Sequence, residues 1–390
     1  MTNKKNVLYI GGFRLPDKNA AAQRVIANGK LFNKVGYNVS YIDVNINGGE
    51  SKKFLENTFD GFKYLVRSQK YPHTKGEWFS YLTKIKFIVT AIENDLNFSP
   101  DIIVVYNYPA VALLKLTKYC KKNNIKIVAD ITEWYSPVGS IFFRAVKGLD
   151  SYFRMHYLHK KIDGLIVISK YLENFYKNIN LIRLPPLVDK NSVKWDNLDA
   201  TNSNLCNLIY VGSISHEEKD RLDFIINSLM RIKDRVREFK FIIIGISKSD
   251  YIKFFEKQSL PENIDKFVSF LGKKPHKEVL KHIKNSDYSI FLRRNNRKNT
   301  AGFPTKFVES LACGTPVLTN DSSDISEYLL NGETGFFLSI SNDKELDLSL
   351  SKALSKSKDD ILEMKNKSSN FNKFHYEIYR DEFVRFLTKI

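Results

Sequence analysis

Short apolar runs alternate with longer segments of helical period along the whole chain. Asn6-Val7-Leu8-Tyr9-Ile10 is the first such run, and similar runs near 38–43, 102–106, 125–130 and 164–168 read as strands. The second half repeats the rhythm, with strands predicted at 207–212, 239–244, 267–271, 288–292, 315–319 and 335–338. Continuous apolar strands separated by helices suit parallel sheets covered on both faces. The pattern therefore predicts an α/β chain of two doubly wound layers, with ligands at the carboxyl ends of the strands. A length of 390 residues fits two domains better than one. Residues 190–206, rich in Asn and Ser, read as a polar connection, and 340–372 as Lys/Ser-rich surface helices.

The segment Gly302 to Leu338, GFPTKFVESLACGTPVLTNDSSDISEYLLNGETGFFL, carries the densest set of signals. Pro304 and Thr305 suit a helix start, Pro for its preset φ and Thr for its capping oxygen. Phe307, Val308, Leu311 and Ala312 then fall on one face, and Lys306, Glu309, Ser310 and Cys313 on the other. Gly314 suits a left-handed cap, with Pro316 beyond it. Asp324 and Glu327 have capping-box spacing for a second helix, and Asn331-Gly332 marks a turn. Free N–H groups at 304–307, with the helix dipole and Lys306, form a mouth for an anion. Glu309 can accept hydrogen bonds from two hydroxyls, as on a ribose. Those groups suit a nucleotide-diphosphate sugar, and equally a structural helix with a solvated Lys and Glu.

Composition narrows the setting. The chain is 43% hydrophobic, enough for a core in each half, and no run approaches the ~20 apolar residues of a spanning helix. No signal-type apolar region follows Lys4-Lys5. Cys120, Cys206 and Cys313 are widely spaced, without a CxxC, which suggests neither a disulfide framework nor zinc. A cytoplasmic, reduced setting is expected. Charge is uneven: residues 1–200 carry 30 Lys+Arg against 17 Asp+Glu, and residues 201–390 carry 31 against 26. The excess in the first half calls for an acidic partner, and no nucleic-acid motif appears. An anionic membrane surface or a diphosphate-linked lipid fits better, such a surface supplying roughly 1 kcal/mol of attraction per nearby basic residue. Two aromatic-and-basic stretches could deliver it. Phe62 to Phe87 holds Lys63, Arg67, Lys70, Lys75, Lys84 and Lys86 among Tyr64, Tyr71, Trp78, Phe79 and Tyr81. Ile141 to Lys161 holds Phe142, Phe143, Arg144, Lys147, Tyr152, Phe153, Arg154, Tyr157, Lys160 and Lys161. Each would also serve as ordinary core with a solvated basic face.

Several strand ends carry candidate chemistry. Gly11-Gly12 after the first strand lets backbone approach a ligand. Asp130 and Glu133 follow the fourth strand, where either could orient acceptor hydroxyls or act as a base, or Asp130 could be a structural cap. Arg293 and Arg294 end the strand at 288–292 and offer forked, always-charged donors. The seven histidines show no convincing metal-ligand spacing.

LACGTPVLTND (311–321), Glu309 and NGETGFFL (331–338) resemble retaining glycosyltransferases of family 4, which have the GT-B fold. Some bacterial polysaccharide transferases of similar sequence carry a Pro-Thr-Lys-Phe version of the donor motif, as at 304–307 here. The first Glu of the family's paired motif is replaced by Ala301. The resemblance extends through 162–176, 184–189, 208–229, 239–246, 270–294 and 374–387. It implies two Rossmann-like domains facing across a cleft: 1–188 binding acceptor, with 374–390 crossing back, and 189–373 binding the donor. It implies donor contacts from Gly212, Ser213, Lys219, Arg221, Arg293, Arg294, Gly302, Phe303, Pro304, Thr305, Lys306 and Glu309. Gly11, Gly12 and Arg24 would line the cleft, although Arg24 better suits a solvated helix position. Asp130, Glu133 and Lys306 would serve catalysis. The family's Gly-Arg becomes Gly212-Ser213, and its His after the fourth strand is missing.

The implied activity is transfer of a sugar, with retention and without a metal or other cofactor, from a UDP- or GDP-type donor. The acceptor would be a hydroxyl of a glycan or of a polyprenyl-diphosphate-linked oligosaccharide in surface polysaccharide synthesis. A GT-B epimerase and a non-catalytic binding subunit are the competing readings.

Overall fold

The computed structural model describes residues 4–45, 54–68, 73–134, 141–195, 205–213, 220–255, 260–261 and 263–390. The chain forms two units, residues 1–188 with 375–390, and residues 189–374. Each is an α/β unit around its own sheet, and the fold is that of two Rossmann-like layers.

The first unit holds β1 (Asn6–Gly11), β2 (Asn38–Asn45), β3 (Leu55–Phe59), β4 (Phe62–Ser68), β5 (Ile102–Tyr106), β6 (Lys126–Ile131), β7 (Gly164–Val167) and β8 (Leu181–Arg183). Their order is β3-β4-β2-β1-β5-β6-β7-β8, parallel throughout except for the β3–β4 hairpin. Helices α1 (Ala20–Lys34), α2 (Lys75–Thr83), α3 (Lys86–Thr90), α4 (Ala110–Lys122), α5 (Ile141–Phe153) and α6 (Lys170–Phe175) connect them. Strand order reverses between β1 and β5, so the ends of those strands flank the switch point. Asn19 caps α1 by accepting from Ala22 N. Val25, Leu31 and Phe32 of α1 bury against the sheet and against Phe383 and Phe386 of the C-terminal helix, Arg380–Leu387.

The second unit holds β9 (Cys206–Val211), β10 (Phe239–Ile244), β11 (Val268–Phe270), β12 (Tyr288–Phe291), β13 (Val317–Thr319) and β14 (Gly335–Phe337), all parallel in the order β11-β10-β9-β12-β13-β14. Its helices are α7 (Leu222–Ile232), α8 (Lys248–Phe254), α9 (Ile264–Phe267), α10 (His276–Lys284), α11 (Arg297–Ala301), α12 (Thr305–Ala312), α13 (Asp343–Leu354) and α14 (Lys358–Asn370). Here the order reverses between β9 and β12. Gly314, at φ +71°, ends α12 in the left-handed conformation, and Thr315 N closes back on Ser310 O.

Three local expectations change. The hairpin β3–β4 turns on Asp60-Gly61, both at positive φ, and its buried Phe62 and Tyr64 are core. That part of the 62–87 stretch is therefore packing, not an interfacial face; Lys70 and Tyr71 lie outside the described residues. The expected helix after Ser322 is only a 3-10 turn, Ile325–Glu327, and Asp324 makes no side-chain cap. At α12, Pro304 takes the N-cap place, Thr305 is the first helical residue, and no side chain caps the helix.

Candidate functional site

At the switch point of the second unit, β9 runs into Gly212-Ser213 and β12 into Leu292-Arg293. Asp220 forms an isolated antiparallel bridge with Arg293, which brings three charged side chains together. The Asp220 carboxylate accepts from Lys306 Nζ at 2.5 Å and from the Tyr210 hydroxyl at 2.9 Å. Arg293 Nε stands 3.8 Å from its other oxygen. Lys306 projects from the first turn of α12, its ammonium 4.3 Å from the Tyr210 ring centre. Burial alone would raise the Asp220 carboxyl, but Lys306 and Arg293 hold it below its ordinary value. Burial pushes Lys306 and Arg293 down, against the pull of Asp220.

The cluster has two cations for one carboxylate. Among the described residues, Arg293 Nη1 is buried with no hydrogen-bond partner, while Nη2 donates to Asn299 Oδ1 at 2.9 Å. Asn320, just past β13, holds the Arg293 backbone: its Oδ1 accepts from Arg293 N at 2.7 Å and its Nδ2 donates to Arg293 O at 3.0 Å. The guanidinium is thus fixed before any ligand arrives, with one donor edge still unsatisfied.

Backbone closeness at this point depends on glycine. A Cβ on Gly212 would meet the Tyr210 hydroxyl at 2.5 Å and Lys306 Nζ at 2.8 Å. A Cβ on Gly245, at φ +98°, would lie 2.1 Å from Gly212 O. Gly245→Ala is expected to cost at least ~2 kcal/mol from backbone strain and to displace the Gly212 loop. Urea unfolding gives the first, and nucleoside diphosphate affinity reports the second; unchanged values of both would contradict it.

The remaining predicted donor residues separate into groups. Phe303 is buried with its ring edge-on to Tyr328 and Phe307, at 5.6 and 6.1 Å, so it anchors the loop before α12. Gly302 O accepts from the Ser323 hydroxyl, and Gly302 and Pro304 are buried. Glu309 Oε1 lies 3.0 Å from Nε2 of His276, the first residue of α10. Arg221 is tied to its own helix: its guanidinium donates to both Asp223 oxygens, at 3.0 and 2.7 Å, and stacks over Phe224. Arg294 and Ser213 are exposed. Lys219 lies outside the described residues.

In the first unit, Asp130 and Arg24 form one closed network. Asp130, near the end of β6, has no exposure. Its oxygens accept from Arg24 Nε and Nη2 at 3.0 and 2.8 Å, from Tyr9 OH at 2.5 Å and from Asn28 Nδ2 at 3.2 Å. Arg24 Nη1 donates to Leu184 O at 3.0 Å and Pro185 O at 3.3 Å. Burial would lower Arg24, yet Asp130 more than offsets it. Arg24 is thus not a solvated helix residue, and the Asp130 carboxylate is enclosed. Glu133, three residues on, is partly exposed. A Cβ at Gly11 would stand 2.7 Å from the Phe13 ring, while Gly12 is exposed. The loop after these glycines is held by Asp43, whose carboxylate accepts from Phe13 N, Arg14 N and Leu15 N at 2.8, 3.1 and 2.8 Å.

Residues 196–373 match the family model for glycosyl transferases group 1. This match contains the whole Asp220–Arg293–Lys306 cluster. No curated protein matched the chain. Among solved structures, sucrose-phosphate synthase from Thermosynechococcus elongatus superposes with a TM-score of 0.70 at 12% identity, covering 99% of each chain. The catalytic domain of starch synthase IV from Arabidopsis thaliana, bound to ADP and acarbose, gives 0.70 at 13%, covering 100% of this chain and 99% of that one. An E. coli trehalose-6-phosphate structure bound with UDP-2-fluoro glucose gives 0.68 at 11%, covering 99% of each. These neighbours establish the fold as the α/β GT-B type.

Within the group 1 match, sequence reasoning passed over Asp220, Asn299, Asn320, His276 and Gly245. Asp220 sits in a charged run, HEEKDR, where nothing local distinguishes it from solvated neighbours. Gly245 did carry a signal, a lone glycine directly after a strand. Among the described residues no group of three or more His, Cys, Asp or Glu is placed to hold a metal. None of their helices is long and apolar enough to cross a membrane.

Proposed function

We propose that this protein is a glycosyltransferase that moves a sugar from a nucleotide-diphosphate sugar to a hydroxyl acceptor. The observation that carries the reading is the excess positive charge at the β9/β12 switch point, with Arg293 Nη1 buried and unsatisfied beside Lys306. Breaking the sugar–phosphate bond builds negative charge on the departing diphosphate. Fixed cations and the uncapped start of α12 stabilise that charge without reorganising. Two side-chain cations can do this neutralisation without a metal ion. Glu309 serves the ribose hydroxyls, with His276 orienting its carboxylate. The nucleotide in two of the structural neighbours, ADP in one and a UDP sugar in the other, agrees with such a donor.

The finer reading follows the sequence resemblance. Transfer proceeds with retention, the leaving phosphate taking the acceptor proton during same-face attack, so no enzyme nucleophile is required. The acceptor is a glycan or polyprenyl-diphosphate-linked oligosaccharide of a surface polysaccharide. The protein works in the cytoplasm, its basic first half meeting the anionic inner face of the membrane. Three free, buried cysteines suit a reducing compartment.

Incubation with a panel of nucleotide sugars, with and without lipid-diphosphate acceptors, tests the reaction. Acceptor-dependent nucleotide release is expected. An isomerised donor would point to an epimerase, and absence of any nucleotide binding would overturn both. Glu309→Ala is expected to weaken nucleoside diphosphate binding about tenfold or more, from the loss of charge-assisted hydrogen bonds. Calorimetry showing equal affinity would remove Glu309 from the site.

A further inference from the structure

The first unit carries an apolar groove that the sugar-transfer reading leaves unused. It is about 450 Å³, within the usual range of small-ligand pockets of about 300–1,000 Å³. Side chains of α2, α4 and α5 line it, chiefly Phe79, Val111, Leu114, Leu149 and Phe153. Its two polar lining residues are occupied internally. Asp150 accepts from Ala110 N at 2.7 Å, and the Thr83 hydroxyl donates to Phe79 O at 2.7 Å. Nothing in the wall therefore asks for a polar ligand.

The wall is also open to solvent. Phe79 is 70% exposed, Leu149 59% and Phe153 53%. Such a contiguous apolar surface on one face marks an interaction site. Its surroundings are basic. The α4 segment 110–122 carries four lysines and no acid. Residues 141–161 add Arg144, Lys147, Lys160 and Lys161; Arg154 is buried and donates to Asn107 O and Tyr108 O, and the one acid, Asp150, is committed to Ala110 N. Arg144, Lys160 and Lys161 are exposed, and Lys147 lies over the Trp78 ring at 5.8 Å. Two copies of such a face would repel each other, whereas an acidic lipid surface would be attracted to the rim while its chains fill the apolar floor.

We propose that the α2–α4–α5 groove seats a hydrocarbon chain of an anionic phospholipid, so that the first unit docks on an acidic bilayer by this face. This rests on the membrane contact proposed above and adds its location and its apolar component; it is independent of the transfer chemistry. Docking buries Phe79, Leu149 and Phe153 in the interface and brings the α4 and α5 cations to the headgroups.

Co-sedimentation of the full chain with vesicles of phosphatidylglycerol or phosphatidylcholine tests it. Binding to phosphatidylglycerol is expected to exceed binding to phosphatidylcholine at least tenfold and to fall as salt rises. The neutral double substitution Phe79→Ser/Leu149→Ser is expected to weaken phosphatidylglycerol binding about tenfold or more. Both side chains are exposed, so the melting temperature should stay within a few degrees, which excludes unfolding as the cause. A second variant, Phe153→Ser, reads the same wall from α5. No vesicle binding by the unmodified chain would overturn the membrane contact itself. Binding that is salt-sensitive but unchanged in all these variants would overturn the groove alone. A dimer by light scattering that the double substitution converts to monomer would assign the face to self-association and overturn the proposal. Nucleoside diphosphate affinity, measured in parallel, tests the transfer reading separately.

Discussion

Asp130→Ala is expected to destabilise the first unit by about 3–5 kcal/mol, the cost of stranding a buried cation. Asp130 and Arg24 have side-chain exposures of 0% and 2%, so solvent screens almost none of their interaction. Removing the carboxylate takes away the Arg24 ion pair and leaves Tyr9 OH and Asn28 Nδ2 without that acceptor. Chain connection is affected as well, because Arg24 also holds Leu184 and Pro185, just after β8. Urea unfolding provides the measurement. Arg24→Met alone should be similarly costly, while Asp130→Leu/Arg24→Met should recover much of the loss, since an apolar pair leaves no orphaned charge. Full stability in Asp130→Ala, together with loss of transfer activity, would reverse this assignment and return Asp130 to the chemistry.

Asp220→Asn is the second large effect, and it separates stability from binding. In the unliganded protein it leaves Lys306 and Arg293 facing one another, with an expected loss of about 3 kcal/mol in the second unit. A nucleoside diphosphate brings its own negative charge to those cations, so saturating ligand should restore much of that loss in a thermal melt. Lys306→Met in the Asp220→Asn background should restore stability without restoring binding. The pH dependence has a definite sign. Asp220 has a folded pKa below its unfolded value, so its contribution is complete above about pH 5. It is lost as the pH falls through the folded value, and the Asp220→Asn variant should lack that part of the acid sensitivity. Ligand that stabilises the variant no more than the parent protein would remove the charge-substitution idea.

The candidate site was legible where chemistry and secondary structure coincide in one short stretch. Lys306 and Glu309 could be placed on the polar face of a helix because Phe307, Val308 and Leu311 marked the opposite one. Arg293 followed from its place at the end of an apolar run. Arg221 looked equivalent, but its guanidinium has partners on its own helix in Asp223 and Phe224, and a charge count cannot reveal that preference. The hairpin at 55–68 was missed because β3 reads LENTF, a mostly exposed edge strand without a continuous apolar run. Strand β8 was missed as well: it reads LIR, two apolar residues closed by a charged one, with no Gly or Pro turn signal before it.

Most of the order of strands and helices, with β3, β4, β8 and the turn at 325–327 the exceptions, was determined by the sequence itself, as were the two α/β layers, the left-handed stop at Gly314 and the start of α12 at Pro304-Thr305. They depend on neighbours within a few positions, where apolar period, glycine and proline act directly. Pairing of charges was decided only by tertiary structure. Asp220 meets Lys306 across 86 residues, Asp130 meets Arg24 across 106, and Asn320 reaches Arg293 across 27. Parallel sheets bring the ends of distant strands together at their switch points. A carboxylate buried there takes its character from whichever cations the topology delivers, and no local pattern in the chain encodes that choice.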